Sequence, residues 1–588
     1  MYTPPLRDLQ FVLHEVLGDD IPTRLYADVD YAAELADSVL EEAGKFAATV
    51  LEPLNRPGDV AGARWTEAGV KVPEGFAQAY KAYAEGGWTQ LSVPPGLGGQ
   101  GMPYIINTAV EELFFSANMA FYLGTSLARG AVEAIAASGS TSPVVDTCLE
   151  KLVSGEWMGT MNLTEPQAGS DLALLRTRAV PEGDHYRIFG QKIFITYGDH
   201  DMTDNIVHLV LARIDGAPEG TKGISMFLVP KHLLGDDGSP GEANDLRCLS
   251  IEHKMGIHAS PTCVMAFGEK AGAVGYLMGA PNSGLQHMFI MMNAARLAVG
   301  VQGLAQSERA LQLARSWAQS RIQGRLAGAA SRAPVAIVQH ADVKRMLLSM
   351  KARIEAMRVL ALYAALQLDI AHRAPDAMER QQAMLRAELL TPIVKGWSTE
   401  IALQVTSAGV QIHGGMGYVE ETGAAQFFRD VRITSIYEGT TGIQANDLIG
   451  RKLGRDEGAT LRSLLAELGA ALDADAPEAA AVRAALDRLD AASRTVLLQQ
   501  ARSVTAAQAV AVPFLELCGT VLGGALMARS AQVARRAIQG GAAEAAFYQA
   551  KLQTASFYMT QVLPMATGLA QTVEGGAAAV VDADPLLI

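Results

Sequence analysis

From the start of the chain to about residue 155, apolar positions recur at helical spacing. "YAAELADSVLEEAGKFAATVLEPL", Tyr31 to Leu54, repeats them three and four residues apart, and Pro53 is expected to end that helix. From about residue 158 to 275 the period changes. "DHYRIFGQKIFITYG", "NIVHLVLARID" and "GISMFLVP" are short, β-branched and aromatic, and turn clusters such as "PEGD" and "DGAPEGTKG" separate them, as in a β domain. From Gly284 long helical patterns return. "LQHMFIMMNAARLAVGVQGLAQSERALQLARSWAQSR" runs without a breaker, and several helices of that length predict a bundle. After Lys452 a charged, Ala-rich stretch opens a further helical module, and the tail "EGGAAAVVDADPLLI" is expected to be loosely held. Segregated blocks of this kind predict an α+β multidomain fold rather than an alternating parallel sheet. The expected domains are an N-terminal helical domain (1–157), a middle β domain (158–280), a helical bundle (281–455) and an additional helical domain (456–588). No repeat marks a solenoid.

Composition narrows the classes. Of 588 residues, 49% are hydrophobic and 19% charged, enough for a large core and against disorder. The formal net charge of −14 argues against nucleic acid as a partner, because phosphate binding needs a clustered basic face. Four cysteines in so long a chain make no disulfide framework, which fits a reducing, cytoplasmic setting. The N-terminus "MYTPPLRDLQFVLHEVL" lacks the basic-then-apolar order of a signal peptide. The most apolar stretch, Ala509 to Ala528, contains Pro513 and Glu516 and two adjacent glycines, and is expected to be a buried helix rather than a membrane span.

Several motifs carry possible chemistry, and each has a plain alternative. "GLGGQG", Gly96 to Gly101, matches a dinucleotide fingerprint, but it follows Pro94 and Pro95 in a helical region, so a glycine-rich loop is the better reading. Cys248, His253, His258 and Cys263 stand five residues apart without the short paired spacing of structural zinc sites. A solvated strand-and-loop segment is expected there, with no metal. "LTEPQAGSD", Leu163 to Asp171, is either an ordinary polar turn or a turn whose hydroxyls and N–H groups bind anionic oxygens. "QIHGGMGY", Gln411 to Tyr418, is either a helix stop or a close approach to a ligand or another chain. Arg321 suits the C-terminal end of a helix. In "YEGTTG", Thr440 or Thr441 can cap a helix, and Glu438 can be an acid near that cap or a working base.

Taken together, "LTEPQAGSD", "GQKIFIT", "EHKMGIHASPTC", "QIHGGMGY" and "YEGTTGIQ" stand in the order and at the separations of the acyl-CoA dehydrogenase family, which the chain resembles over roughly residues 30 to 450. The extra N-terminal stretch and the C-terminal module resemble the family's branch of longer chains. The resemblance implies a helical domain, a barrel-like β domain and a four-helix bundle, followed here by the extra helical module. It also implies α,β-desaturation of an acyl-CoA thioester, either 3-methylmercaptopropionyl-CoA or a fatty acyl-CoA as in fatty acid β-oxidation. The α proton leaves to a carboxylate and the β hydride to N5 of FAD, because no side chain accepts a hydride. Electrons would pass to an electron-transfer flavoprotein, and the subunits would form a homodimer or tetramer. An acyl-CoA oxidase on the same fold and a non-catalytic acyl-CoA-binding protein are the alternatives.

The resemblance also assigns roles. Glu438 matches the catalytic base and Gly439 a neighbouring substrate contact. Some relatives carry the base just before the arginine matched by Arg296, but that position is Ala295, which cannot take a proton. Met161, Leu163 and Thr164 would line the flavin ring, and Ser170 would meet both FAD and the CoA arm. Phe194, Ile195 and Thr196 would cover another part of the flavin, with Phe194 where tryptophan is frequent. Arg321 would hold the FAD pyrophosphate, from a neighbouring subunit. Gln411, Gly414 and Gly415 would meet the adenine end, and Thr440 and Gly442 the diphosphate. Asn293 and Arg296 would face the CoA arm. Asn162 and His413 depart from the small and apolar residues usual at their positions.

Overall fold

The structure, a computed structural model, describes residues 2–29, 31–328, 333–584 and 586. Its contacts group into two compact units. One comprises Lys45–Met102 and Ala117–Ala295; the other comprises Tyr2–Gly44, Pro103–Ser116 and Arg296–Ile588.

The first unit is built on a β-barrel. Its strands are β1 (Met158–Asn162), β2 (Arg178–Glu182), β3 (His185–Thr196), β4 (Ile206–Ile214), β5 (Ile224–Pro230), β6 (Leu246–Ile251), β7 (Thr262–Phe267) and β8 (Ala273–Met278). β3 pairs with β8, β8 with β5, β5 with β4, β4 with β2, and β2 returns to β3, so five strands close a ring and leave no free edge within it. β4 and β5 are apolar along almost their whole length because both faces are covered. Ile188, Val210, Phe227 and Val229 fill one side of this sheet, and Leu209, Leu211, Met226 and Leu228 face a second cluster on the other. Asn244 clips the barrel. Its amide donates to the carbonyls of Pro230 and Val274, each at 2.9 Å, and its oxygen accepts from the Val274 N–H at 2.8 Å.

Two local expectations need correction. The helical run does not stop at Pro53. It passes through a wide turn at Ala47–Leu51 and continues as Glu52–Ala61, because proline in the first turn of the new helix lacks an N–H that would have no partner there anyway. The Cys248–Cys263 segment is not a solvated stretch at its ends. Cys248 on β6 and Cys263 on β7 both point into the barrel core. His258 is held by Asp59 at 3.0 Å and by the Lys254 carbonyl at 3.0 Å. "GLGGQG" is a loop, as expected.

The second unit is helical. Its main elements are the Arg296–Ser320 portion of α1 (Gly284–Ser320), then α2 (Ala341–Arg373), α3 (Ala377–His413), α4 (Thr441–Asp447), α5 (Ala479–Arg502), α6 (Ala511–Gln539) and α7 (Ala545–Phe557). The segment ending at Ser116 is tied to α1 by Gln306 Nε2 donating to the Phe115 carbonyl (2.8 Å) and Ser116 Oγ to that of Ala305 (3.2 Å). The N-terminal segment docks on the C-terminal module. Arg7 lies over the Phe547 ring at 4.2 Å and bonds Glu544 at 2.8 Å, while Lys551 pairs with Asp8. The tail carries Ala577–Val581 as a short helix with no buried residue, and residues 585, 587 and 588 lie outside the described residues.

The apolar helix α6 is long and apolar enough to cross a membrane by composition, yet its apolar window is 83% buried in the protein. Gly519 and Gly523 let it lie against Trp397 of α3. A Cβ at Gly519 would stand 2.1 Å from Trp397 Cγ. Gly519→Ala should therefore destabilise the fold by about 1–3 kcal/mol, as overpacked cores do, and lower the Tm in a thermal melt.

Candidate active site

Each unit carries its own set of the residues singled out above. In the first unit, β1 delivers Met161 into the core, and the chain leaves the strand at Leu163 and Thr164. A buried ion pair fixes this exit. Glu165 accepts from Lys192 Nζ (2.8 Å), Thr177 Oγ1 (2.6 Å) and the N–H groups of Arg176 (2.7 Å) and Thr177 (3.0 Å). Lys192 Nζ also donates to the Leu163 carbonyl at 2.9 Å, and the Ile193 N–H donates to the Thr164 carbonyl at 2.9 Å. Burial pushes Lys192 down to about 8, while the Lys192 ammonium holds Glu165 below the ordinary range despite the opposing effect of its own burial. The turn "LTEPQAGSD" thus uses its acids structurally, Asp171 accepting from the Ala173 N–H at 2.9 Å. Its hydroxyls stay uncommitted. Among the described residues, no group bonds the hydroxyls of Thr164, Ser170 or Thr196.

At the end of β3, Phe194 adopts φ 59° and remains 59% exposed. A non-glycine residue in the left-handed region with a bare aromatic ring is a costly arrangement for a fold alone. Ile195 turns inward, so its backbone alone is available. Asn162, the departure in the first motif, is buried and contacts His208 at 3.3 Å; burial pushes His208 down to about 3 and keeps it neutral. Asn293, exposed on α1, completes this set.

In the second unit the turn before α4 holds Glu438. Thr440 caps α4, its hydroxyl accepting from the Ile443 N–H at 3.3 Å, so the helix-start reading of this turn is correct as far as it goes. Glu438 itself has φ 56°. Its carbonyl accepts from Gln444 Nε2 (3.0 Å) and Arg296 Nε (3.3 Å), and the Gly439 carbonyl accepts from Lys395 Nζ (2.7 Å) and Gln444 Nε2 (3.3 Å). The Glu438 N–H donates to no group among the described residues. Burial raises the Glu438 carboxyl above its ordinary value, and the charges of Arg296 and Lys395 oppose this only in part. A carboxyl so shifted is a stronger base than one in water, and the free N–H beside it is a donor for a developing oxyanion.

The other residues of this unit cluster at the far ends of α1 and α3. Arg321 follows α1 directly and is exposed. His413 stacks on Trp317 at 5.3 Å between ring centroids and bonds the Gly409 carbonyl through Nδ1 at 2.7 Å; burial lowers its pKa, so it acts as a neutral flat plate where an apolar residue is usual. Gln411, Gly414 and Gly415 are exposed beside it, and a Cβ at either glycine would meet nothing within 4 Å. Gly414 needs its φ of +64°, but Gly415 is not required by anything packed against it. Lys192, Lys395 and Gln444 escaped the sequence reading. A lysine or glutamine inside a helical or strand pattern gives no signal until its burial is known.

Comparison with known proteins agrees with this geometry. Family profiles described as the acyl-CoA dehydrogenase N-terminal, middle and C-terminal domains match residues 34–156, 160–269 and 282–453, and one described as acetyl-CoA dehydrogenase C-terminal like matches 463–584. The chain is 46% identical to the 3-methylmercaptopropionyl-CoA dehydrogenase of Ruegeria pomeroyi, over 96% of each chain. It is 35% identical to a broad-specificity linear acyl-CoA dehydrogenase of Mycobacterium tuberculosis, over 97% of each. An acyl-CoA dehydrogenase of Bacillus anthracis solved with FAD shares the fold at TM-score 0.75 and 20% identity, covering 95% of this chain and 90% of that one.

Proposed function

Since this chain belongs to the acyl-CoA dehydrogenase family, we propose that its reaction is the FAD-dependent α,β-desaturation of 3-methylmercaptopropionyl-CoA, with Glu438 as the base. The desaturation of an acyl-CoA thioester with FAD is the activity of the family, and the choice of acyl group rests on the 46% identity over nearly the whole chain. The observation that carries the chemistry is Glu438, a carboxyl raised by burial beside its own uncommitted N–H.

The residues fit the cofactor. In the first unit the free hydroxyls of Thr164, Ser170 and Thr196 and the exposed ring of Phe194 would hold the flavin ring. In the second, the open backbone at Gly414 and Gly415 and the exposed Arg321 and Gln411 would hold the adenine end and the phosphates of the FAD of a neighbouring subunit. Bound FAD supplies the hydride acceptor that side chains lack. The protein does the rest. The Glu438 N–H donates to the thioester oxygen, which makes the α hydrogen more acidic, and the Glu438 carboxylate takes that proton.

An electron-transfer flavoprotein is proposed as the electron acceptor. A homo-oligomer is proposed on the exposed apolar side chains of Met416 and Tyr418 next to Gln411; Tyr418 is 89% exposed. The four cysteines are free and buried, which supports a reducing, cytoplasmic location.

The test is a panel of acyl-CoA thioesters assayed without oxygen against an electron-transfer flavoprotein. The highest kcat/KM is expected for 3-methylmercaptopropionyl-CoA. A straight-chain thioester turned over faster would move the substrate, and peroxide formed in air at the same rate would make the enzyme an oxidase.

A further inference from the structure

Lys395 is fully buried on α3, and its one hydrogen-bond acceptor among the described residues is a backbone carbonyl, that of Gly439 at 2.7 Å. No carboxylate lies within ion-pair distance of it among those residues. An ammonium in that situation is unfavourable for the fold. Apolar side chains of similar volume commonly serve a buried position as well as a charge or better. Burial pushes Lys395 down to about 7, against the pull of Glu438.

What the ammonium touches explains its presence. Residue 438 sits in the left-handed region, which costs a glutamate roughly 1–3 kcal/mol and persists only where the surroundings over-determine it. Four donor contacts from three side chains pin the two peptide planes that follow. Arg296 and Gln444 hold the Glu438 carbonyl, and Lys395 and Gln444 hold that of Gly439. The Lys395 contact is the shortest of the four. With both carbonyls turned toward these donors, the Glu438 N–H and carboxylate are left uncommitted within the protein.

We propose that Lys395 is a positioning residue for the base. Its ammonium clamps the Gly439 carbonyl and so holds Glu438 in the left-handed conformation that frees the carboxylate and N–H for the thioester. This rests on the reading of Glu438 as the base.

The test uses the FAD-loaded full chain and the thioester it turns over best. Lys395→Met, Gln444→Met and Glu438→Gln are each measured for flavin content, Tm, kcat and KM. Exchange of the thioester α hydrogen with deuterium oxide is followed without an electron acceptor. Lys395→Met should keep its flavin and its Tm, hold KM within about twofold, and lose about 10- to 100-fold in both kcat and α-hydrogen exchange, the size expected when a reacting group moves by about 1 Å. Gln444→Met, which removes two of the four contacts, should show the same pattern, and it decides the matter if Lys395→Met does not fold. Unchanged exchange in the lysine variant, or losses of flavin and KM in step with kcat, would overturn the proposal. If Glu438→Gln also exchanges the α hydrogen at the normal rate, the base assignment itself has failed, which separates the two outcomes.

Discussion

Glu438→Gln should retain FAD and acyl-CoA binding while losing kcat by at least about 10²–10⁴-fold, the usual contribution of a positioned base. Glutamine keeps the shape of the side chain and the backbone N–H, so the turn and its donors from Arg296, Gln444 and Lys395 stay in place. The proton acceptor alone is lost. The alternative position for a base in this family is filled by Ala295, so no second carboxylate takes over there. The pH dependence has a definite sign. The base works when deprotonated, so kcat/KM rises with pH through the Glu438 pKa. Because burial raises that pKa, the acid limb falls above the ordinary glutamate value of about 4.3. In Glu438→Gln the residual rate should lose this limb. Stopped-flow reduction of the flavin across a pH series reads both effects. Near-normal reduction would remove Glu438 from the mechanism.

The largest effect on stability should come from Arg358→Met. Arg358 is fully buried on α2 between two acids. Its Nε and Nη2 bond Glu112 at 3.0 and 2.6 Å, and Nη2 also bonds Glu308 at 2.9 Å. Burial still raises the Glu112 carboxyl above its ordinary value even with the guanidinium against it. Removing the arginine strands two buried carboxylates, and breaking a buried pair from one side costs about 3–5 kcal/mol. Urea denaturation should show that loss. Adding Glu112→Gln should recover part of it, because the penalty belongs to the stranded charge and not to the missing contact. A loss under about 1 kcal/mol in the single variant would mean that water reaches the acids.

Much of the architecture could be read from the sequence. The change from helical to two-residue period near residue 158 and back near 284 located the barrel and the long helices, because those periods follow directly from which face is buried. Pro53 does not end the helical run because proline is compatible with a first turn, and no local signal says whether a new helix starts there. The solvated reading of Cys248 and Cys263 failed for a similar reason. Pairing of β6 with β7 and of β7 with β3 buries both cysteines, and strand pairing is a long-range event.

The site divides in the same way. Glu438, Thr164, Ser170 and the glycines of "QIHGGMGY" lie in short ordered motifs, so the sequence by itself determined the family and, through it, the chemistry, and offered Glu438 as the candidate base. It could not distinguish Glu438 as a cap-region acid from Glu438 as a base, and the structure shows that the turn is both a capped helix start and a strained one. The tertiary structure alone decided what holds that strain. Lys395, Gln444 and Arg296 come to the turn from chain positions as far as 142 residues away, and the Glu165–Lys192 pair fixes the other motif from within the barrel. Residue type and spacing report what a side chain can do. Whether it is buried, and which backbone groups it reaches, depends on contacts that folding creates between distant segments.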